Sequence, residues 1–398
     1  MKNEQIRFLV DKFLELEQSE KNQLRKAKWL RLPPTGRDQW RATPRSDGSW
    51  REGNIPLVID LQNTIWTRLL GFSLKDYYTR PEVFLEYYLR MMIDRFEMLD
   101  DDVFLSKSIS IWGSAAYEGS MFGVNYGLFD EQDPWLDHTS LINGPEDLDR
   151  LKFPDFRTSG LMPHMLNVYE GVQEMVGDEF DVFFPEWIRA PFGLCVYLRG
   201  FENFLVDLML EPEFAHRLLR FVTDARKSWY DDLAKYLGRS PGPANLFNDE
   251  VNCPSLSPDS YREFILPYEK EISEHQKGIL YWHSCGNVTP LLDNIRLLPD
   301  MEMLHVGPWT SVDRAAQIFG NTAPLEICIN PQKDVFDANA SEMAQKMLSI
   351  LNDCGRNDVK GFYIRASGFG VIKNLDFTLD KIKEWNHVVR TIITQKNN

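Results

Sequence analysis

Eight short runs rich in β-branched and aromatic residues punctuate the chain, at 57–61, 107–112, 182–186, 244–248, 279–283, 302–306, 325–329 and 361–365. Most are apolar through their centres rather than alternating, the pattern of parallel strands covered on both faces. Between the later runs lie stretches of helical periodicity, at 201–210, 212–237, 258–276 and 341–351. Strand alternating with helix predicts parallel βα units, and eight of them permit a closed (β/α)8 barrel. The segment 117–163 lacks either period and reads as a loop-rich insertion.

Ahead of the first strand, Ile6, Leu9, Val10, Phe13 and Leu14 recur at helical spacing and predict a short amphipathic helix with one adhesive face. The segment 21–45 then carries eight basic residues, Lys21, Arg25, Lys26, Lys28, Arg31, Arg37, Arg41 and Arg45, against a single acid, Asp38, with Trp29 and Trp40 interleaved. Two readings are open: a docking arm for an acidic partner, or an extension that wraps an acidic barrel or a neighbouring subunit. Pro33-Pro34 and the turn Ser46-Asp47-Gly48-Ser49 separate the arm from the body, so residues 1–53 are taken as an N-terminal extension and 54–398 as the barrel.

The charge inventory of the 398 residues sharpens this picture. Against 44 Lys plus Arg stand 59 Asp plus Glu, a formal charge of −15, which speaks against general nucleic-acid binding. Five cysteines, odd in number and widely spaced, do not form a secreted disulfide framework. The polar N-terminus offers no hydrophobic leader, and no apolar run is long enough to span a bilayer, so the expected location is the cytoplasm.

Candidate chemistry gathers where strands end. In Tyr281-Trp282-His283-Ser284-Cys285-Gly286-Asn287 an imidazole and a thiol lie two residues apart, on the same side of an extended chain. Together they can grip one ion, and nitrogen with thiolate favours zinc. The alternative is a strand-end histidine beside an inert thiol. Other polar residues follow the apolar parts of other strands: Glu186 with Trp187, Asp249 and Glu250, and Arg365. In a βα barrel such ends converge on one mouth. Cys328 belongs to the same set as a third ligand, or else is a small buried hydrophobe. Asp249 and Glu250 serve as acid or base, or cap the next helix. His305, flanked by Leu304 and Val306, reads as a packed strand histidine. Trp112 and Tyr117 are further candidates for the pocket wall, and Ser367-Gly368-Phe369-Gly370 reads as a tight barrel turn. No Walker lysine, dinucleotide glycine triplet or nucleophile elbow is present, which removes kinase, dehydrogenase and serine-hydrolase readings.

Several segments in order then carry a family resemblance: Asp100-Asp101-Asp102-Val103; Gly144-Pro145-Glu146-Asp147-Leu148 with Leu151; Ala190-Pro191-Phe192-Gly193-Leu194; Ser257-Pro258-Asp259-Ser260-Tyr261 with Phe264 and Pro267; His283-Ser284-Cys285-Gly286-Asn287; and Ile329-Asn330-Pro331. From about residue 54 onward the chain resembles the uroporphyrinogen decarboxylase superfamily, and within it the corrinoid-dependent methyltransferases. The resemblance implies a (β/α)8 TIM barrel of the uroporphyrinogen decarboxylase type. The arginine-rich Met-Arg-Gln-Ala-Gly-Arg segment of the decarboxylases is absent, whereas His283-x-Cys285 resembles the zinc pair of the methylcobalamin:coenzyme M methyltransferases. The further cysteine of that subgroup is expected near the last strand, where this chain has Phe369, so Cys328 or Glu250 is considered as its substitute.

The implied activity is zinc-assisted methyl transfer between cobalamin, carried by a corrinoid protein, and a small thiol, methoxy or methylamine compound. In that scheme His283, Cys285 and Cys328 hold the metal and Asp249 and Glu250 set charge and proton inventory. Arg365 holds a substrate carboxylate or sulfonate, and Glu186, Trp187, Trp112 and Tyr117 line the pocket. A homodimer through the arm is left open. Two rivals are metal-independent decarboxylation of an acidic aromatic or pyrrolic substrate and a corrinoid-protein binding subunit without chemistry of its own.

Overall fold

A computed structural model of the chain describes residues 2–31, 42–137, 139–240 and 242–395. Eight strands build the barrel: β1 (Leu57–Leu61), β2 (Ser108–Ser110), β3 (Asp181–Phe183), β4 (Ala244–Phe247), β5 (Ile279–His283), β6 (Leu304–Val306), β7 (Leu325–Ile329) and β8 (Phe362–Phe369). Six of them form one parallel sheet in the spatial order β1-β8-β7-β6-β5-β4. β2 and β3 pair with each other, also in parallel, and a parallel bridge between Arg189 and Phe247 joins the chain after β3 to β4. The architecture is the expected barrel. Helices Phe201–Leu210 and Pro212–Leu237 occupy the predicted spans, whereas the predicted helix 258–276 is two, Pro258–Phe264 and Leu266–Gln276. The break falls at Ile265, ahead of Pro267, which can supply no N–H to continue the ladder.

Between β1 and β2 the wall is closed by side chains rather than by a strand pair. The Asp102 carboxylate accepts from Leu57 N at 2.8 Å, and Asp101 accepts from Ile59 N at 3.1 Å. Two buried carboxylates need cations, and these come from three directions: Arg95 lies 2.7 Å and Arg25 3.7 Å from Asp101, while Lys28 and Arg390 each lie 2.7 Å from Asp102. Arg25 and Lys28 belong to the basic arm. The described part of the arm therefore wraps the barrel, with α2 (Glu20–Lys26) following α1 (Lys2–Gln18). Ile6, Leu9, Val10 and Phe13 of α1 are buried, as their spacing predicts. Pro33-Pro34, Arg37, Asp38, Trp40 and Arg41 lie outside the described residues.

The barrel interior is layered. Trp29, Val58, Phe104, Tyr281, Met303 and Tyr363 form an apolar cluster apart from the main core. Trp29 stacks edge-on against Phe104 and Tyr363 and donates its indole N–H to Asp102 O at 3.0 Å. Strand alternation then turns successive residues in or out. On β5, Tyr281 belongs to the inner cluster, while Trp282 belongs to the outer core and donates to Glu269 at 3.2 Å. The same alternation sends His305, Glu326 and Arg365 inward between outward-packed Leu304, Val306, Leu325, Ile327, Ile364 and Ala366. No described helix is long and apolar enough to cross a membrane.

Candidate active site

Above the apolar layer a cavity of about 440 Å³ opens at the carboxyl ends of the strands. Asp60, Trp112, Arg189, Asp249, His283, Cys285 and Arg365 contribute to its wall. At its base, His283 Nε2 lies 3.2 Å from Cys285 Sγ and 3.1 Å from Asp249 Oδ1. The His305 ring stands beside that of His283, with 4.0 Å between centroids. One donor atom from each of His283, Cys285 and His305 falls within 4.8 Å of the others.

The hydrogen bonds behind these rings fix their tautomers. Glu326 is fully buried, and its carboxylate can only accept. Its Oε1 receives the Tyr281 hydroxyl and His305 Nδ1, each at 2.6 Å, so His305 carries its proton on Nδ1. Tyr281, having donated to Glu326, accepts from His283 Nδ1 at 2.9 Å. In that network, assigned from donor and acceptor roles, both Nε2 atoms keep a lone pair. His305 Nε2 is buried without a partner. The Nε2 of His283 faces a carboxylate oxygen at 3.1 Å, an arrangement that calls for a cation between them, either a proton or a metal ion. This donor set, two imidazole nitrogens and one sulfur with a carboxylate-backed histidine, suits zinc.

Charges around the site follow from burial and neighbours. Burial opposes ionisation of Glu326, but Arg365 and His305 hold its carboxyl well below the usual range. Burial, with His283 alongside, lowers His305 to about 4, so it is neutral near pH 7. Asp249 stays ionised against its burial because His283 and Arg189 favour the anion. The Cys285 thiol opens onto the cavity, yet the low-dielectric cleft and then Asp249 push it well above a free thiol. Without a cation, this sulfur remains protonated.

Other sequence candidates separate into those that reach the cavity and those that do not. Trp112 and Arg365 reach it. Arg365 is already bound to Asp60 at 2.5 Å and Glu326 at 3.1 Å, so its charge is paired within the protein where a clamp for a substrate carboxylate or sulfonate is expected. Cys328 lies outside the three-residue group. Its Sγ contacts Ser367 Oγ at 3.3 Å, and burial raises its thiol to about 11. Glu250 is off the cavity wall and pairs with Arg189 at 2.6 Å, its carboxyl raised by burial despite that arginine. Glu186 accepts from Asn245 at 2.7 Å, away from the wall.

Trp187 and Tyr117 are corrected as pocket residues. Both are fully buried outside the cavity, Trp187 against Phe122 and Trp229, and Tyr117 with its hydroxyl on Met162 Sδ. Trp187 follows the end of β3, where alternation from the strand no longer applies. Phe369 packs on Phe336, so the last strand supplies no third sulfur. The third donor atom within reach of His283 and Cys285 is that of His305, whose apolar neighbours in sequence suggest a packing residue. Its register opposite Glu326 places it inward, and a histidine and a glutamate on adjacent apolar strands were the available signal.

Known proteins share the fold and the family of this chain. A solved methyltransferase from Methanosarcina mazei superposes with a TM-score of 0.59 at 14% identity, covering 86% of this chain and 98% of that one, which shows a shared fold. The methylated-thiol–coenzyme M methyltransferase of Methanosarcina mazei is 26% identical over 157 residues, 38% of this chain and 40% of the relative. The uroporphyrinogen decarboxylase of Thermodesulfovibrio yellowstonii is 22% identical over 223 residues, 54% of this chain and 62% of the relative. The chain thus spans less than two thirds of either curated relative. Residues 56–392, by contrast, match the uroporphyrinogen decarboxylase (URO-D) family along nearly the whole barrel, and the chain belongs to that family.

Proposed function

We propose that this chain catalyses zinc-assisted methyl transfer between a corrinoid, carried by a partner protein, and a small thiol, methoxy or methylamine compound. The observation that carries the reading is the convergence of His283, Cys285 and His305, with His305 Nε2 buried and unpartnered. The methyltransferase relatives add support. Zinc, when bound there, supplies Lewis acidity that favours a thiolate or polarises a methylated heteroatom.

The protein's own residues do the rest. Glu326 and Tyr281 hold the two imidazoles by their Nδ1 atoms, so both rings enter the reaction already oriented. Asp249 accepts from Cys285 N at 3.3 Å and keeps a negative charge beside the site. Its position on the cavity wall, 3.1 Å from His283 Nε2, places that charge where a proton released from a substrate thiol would be attracted. The buried strand layer beneath excludes water from below.

The decarboxylase relative keeps metal-independent decarboxylation as a second reading, with Asp249 or Glu250 as acid. The pairing of Arg365 with two carboxylates speaks against it, because a carboxylate substrate needs an unspent cation. Elemental analysis combined with a cobalamin titration tests the choice. About one zinc per chain and a change in cobalamin absorbance on offering a thiol or methyl donor support methyl transfer. Protein that stays metal-free after zinc addition, or carbon dioxide release that survives chelation and Cys285→Ser, supports the decarboxylase.

A further inference from the structure

We infer that the substrate of this cavity carries a cationic, alkylammonium-type group, seated against Asp133 and the rings of Tyr78, Tyr77 and Trp112. As a statement about substrate, the inference rests on the methyl-transfer reading of the same cavity. It starts from the charges that line the wall. Among the described residues, three guanidinium groups face the cavity, from Arg95, Arg189 and Arg365. Each is already held by a carboxylate: Arg95 by Asp101 at 2.7 Å, Arg189 by Glu250 at 2.6 Å, and Arg365 by Asp60 at 2.5 Å and Glu326 at 3.1 Å. Among the described residues, an anionic ligand entering here meets only guanidinium groups whose charge is already paired to a carboxylate.

Asp133 is the opposite case. It lies on the same wall, and its Oδ1 accepts from Asn63 Nδ2 and from the Tyr78 hydroxyl, both at 2.7 Å and both neutral. No described arginine, lysine or histidine pairs with it, and Oδ2 has no donor among the described residues. Burial raises its carboxyl above the usual range, and only the Asn63 and Tyr78 hydrogen bonds oppose the shift. A carboxylate held in a cleft without a counter-charge gains most from a cation brought by a ligand.

The neighbouring surface fits that cation. Tyr77 and Tyr78 have ring centroids 5.5 Å apart, and Tyr78 and Trp112 6.5 Å apart, all on the cavity wall. Aromatic faces next to a carboxylate form the recognition chemistry of methylated ammonium groups, which are too large and too weakly hydrated to need direct hydrogen bonds. The cation seats at this aromatic part of the wall, leaving the reacting thiol or methylated atom of the ligand for His283 and Cys285.

Three soluble probes of nearly one shape test the inference by calorimetry on the intact protein: choline, its uncharged carbon isostere 3,3-dimethylbutan-1-ol, and the anion isethionate. Choline is expected to bind about tenfold or more tighter than the isostere, with isethionate weakest. Asp133→Asn should remove most of the preference for choline, and Trp112→Leu should weaken choline several-fold, with neither changing metal content. If isethionate binds as tightly as choline, or the preference survives Asp133→Asn, the inference is overturned even where zinc is bound. Should Asp133→Asn not fold, an unchanged choline affinity in Trp112→Leu overturns it. Metal content measured on the same samples separates the two claims, since an Asp133-dependent choline preference in metal-free protein keeps the cation site and removes the methyl-transfer reading.

Discussion

The two ends of the barrel interior differ in how they treat buried polar groups. Towards the closed end, Asp102 is matched by Lys28 and Arg390, and Asp101 by Arg25 and by Arg95, which also lines the cavity; backbone N–H groups bond both carboxylates, and Trp29, Phe104 and Tyr363 fill the interior there. At the open end, among the described residues, His305 Nε2 has no partner, Cys285 is a thiol beside two imidazoles, and Asp133 has no cation. Satisfied charge reads as structure, whereas charge left unsatisfied on a cavity wall reads as a place for a ligand.

The largest expected effect breaks the closed end. Asp101→Ala strands two buried guanidinium groups and removes the acceptor for Ile59 N, so it should cost about 3–5 kcal/mol in urea unfolding. The folded fraction should still bind metal. A loss under about 1 kcal/mol would mean that the closed end is no better organised by its charges than an exposed surface is.

Glu326→Gln comes next and addresses the open end. The amide can donate as well as accept and carries no charge, so His305 is held less firmly in its Nδ1–H tautomer, and metal affinity should fall by about 10–100-fold in a competition titration. His305→Ala should lose at least as much. Unchanged affinity in both variants would place the third donor elsewhere.

A third measurement keeps pH effects on the fold apart from those on the site. Glu269 sits outside the barrel wall, bonded to Tyr261, Asn248 and Trp282, and burial raises its carboxyl to about 7. A carboxyl whose folded pKa lies above its unfolded value stabilises the fold when protonated. That stability is full below the ordinary glutamate pKa and is lost as pH rises towards about 7. Wild-type protein should therefore lose on the order of 1–3 kcal/mol across that window relative to Glu269→Gln, measured by urea unfolding at several pH values. Parallel pH curves for the two proteins would contradict the assignment.

Smallest of all, Arg7→Ala removes an exposed bridge between α1 and Glu179 and should leave the urea midpoint nearly unchanged, because solvent screens the pair. A larger loss would show that the N-terminal helix depends on charge as well as on its buried face.

Much of the barrel was legible because its strands are dense in apolar residues and its helices keep a strict period. β1, β5 and β7 begin and end where their sequences predict. β2 and β3 are shorter than their predicted runs, since the chain around them is committed to loops that form the cavity. The site was half legible. His283 and Cys285 share a face by simple alternation, and Trp112 follows a strand. His305 was hidden because its flanking Leu304 and Val306 point outward, so a local reading takes its character from neighbours on the other face. Arg365 and Glu250 were visible as charges, but their partners Asp60, Glu326 and Arg189 come from distant sequence and only the closed barrel brings them together. Trp187 was misplaced for a related reason, because after a strand ends nothing in the sequence fixes which way a side chain faces.

X-ray absorption at the zinc edge tests the central claim most directly, since it counts ligands by element. The account predicts one sulfur at about 2.3 Å together with imidazole nitrogens at about 2.0–2.1 Å, with the sulfur lost in Cys285→Ser and a nitrogen lost in His305→Ala. Two sulfurs in the wild-type shell would move the third ligand to Cys328, and a shell unchanged by His305→Ala would contradict the site described above.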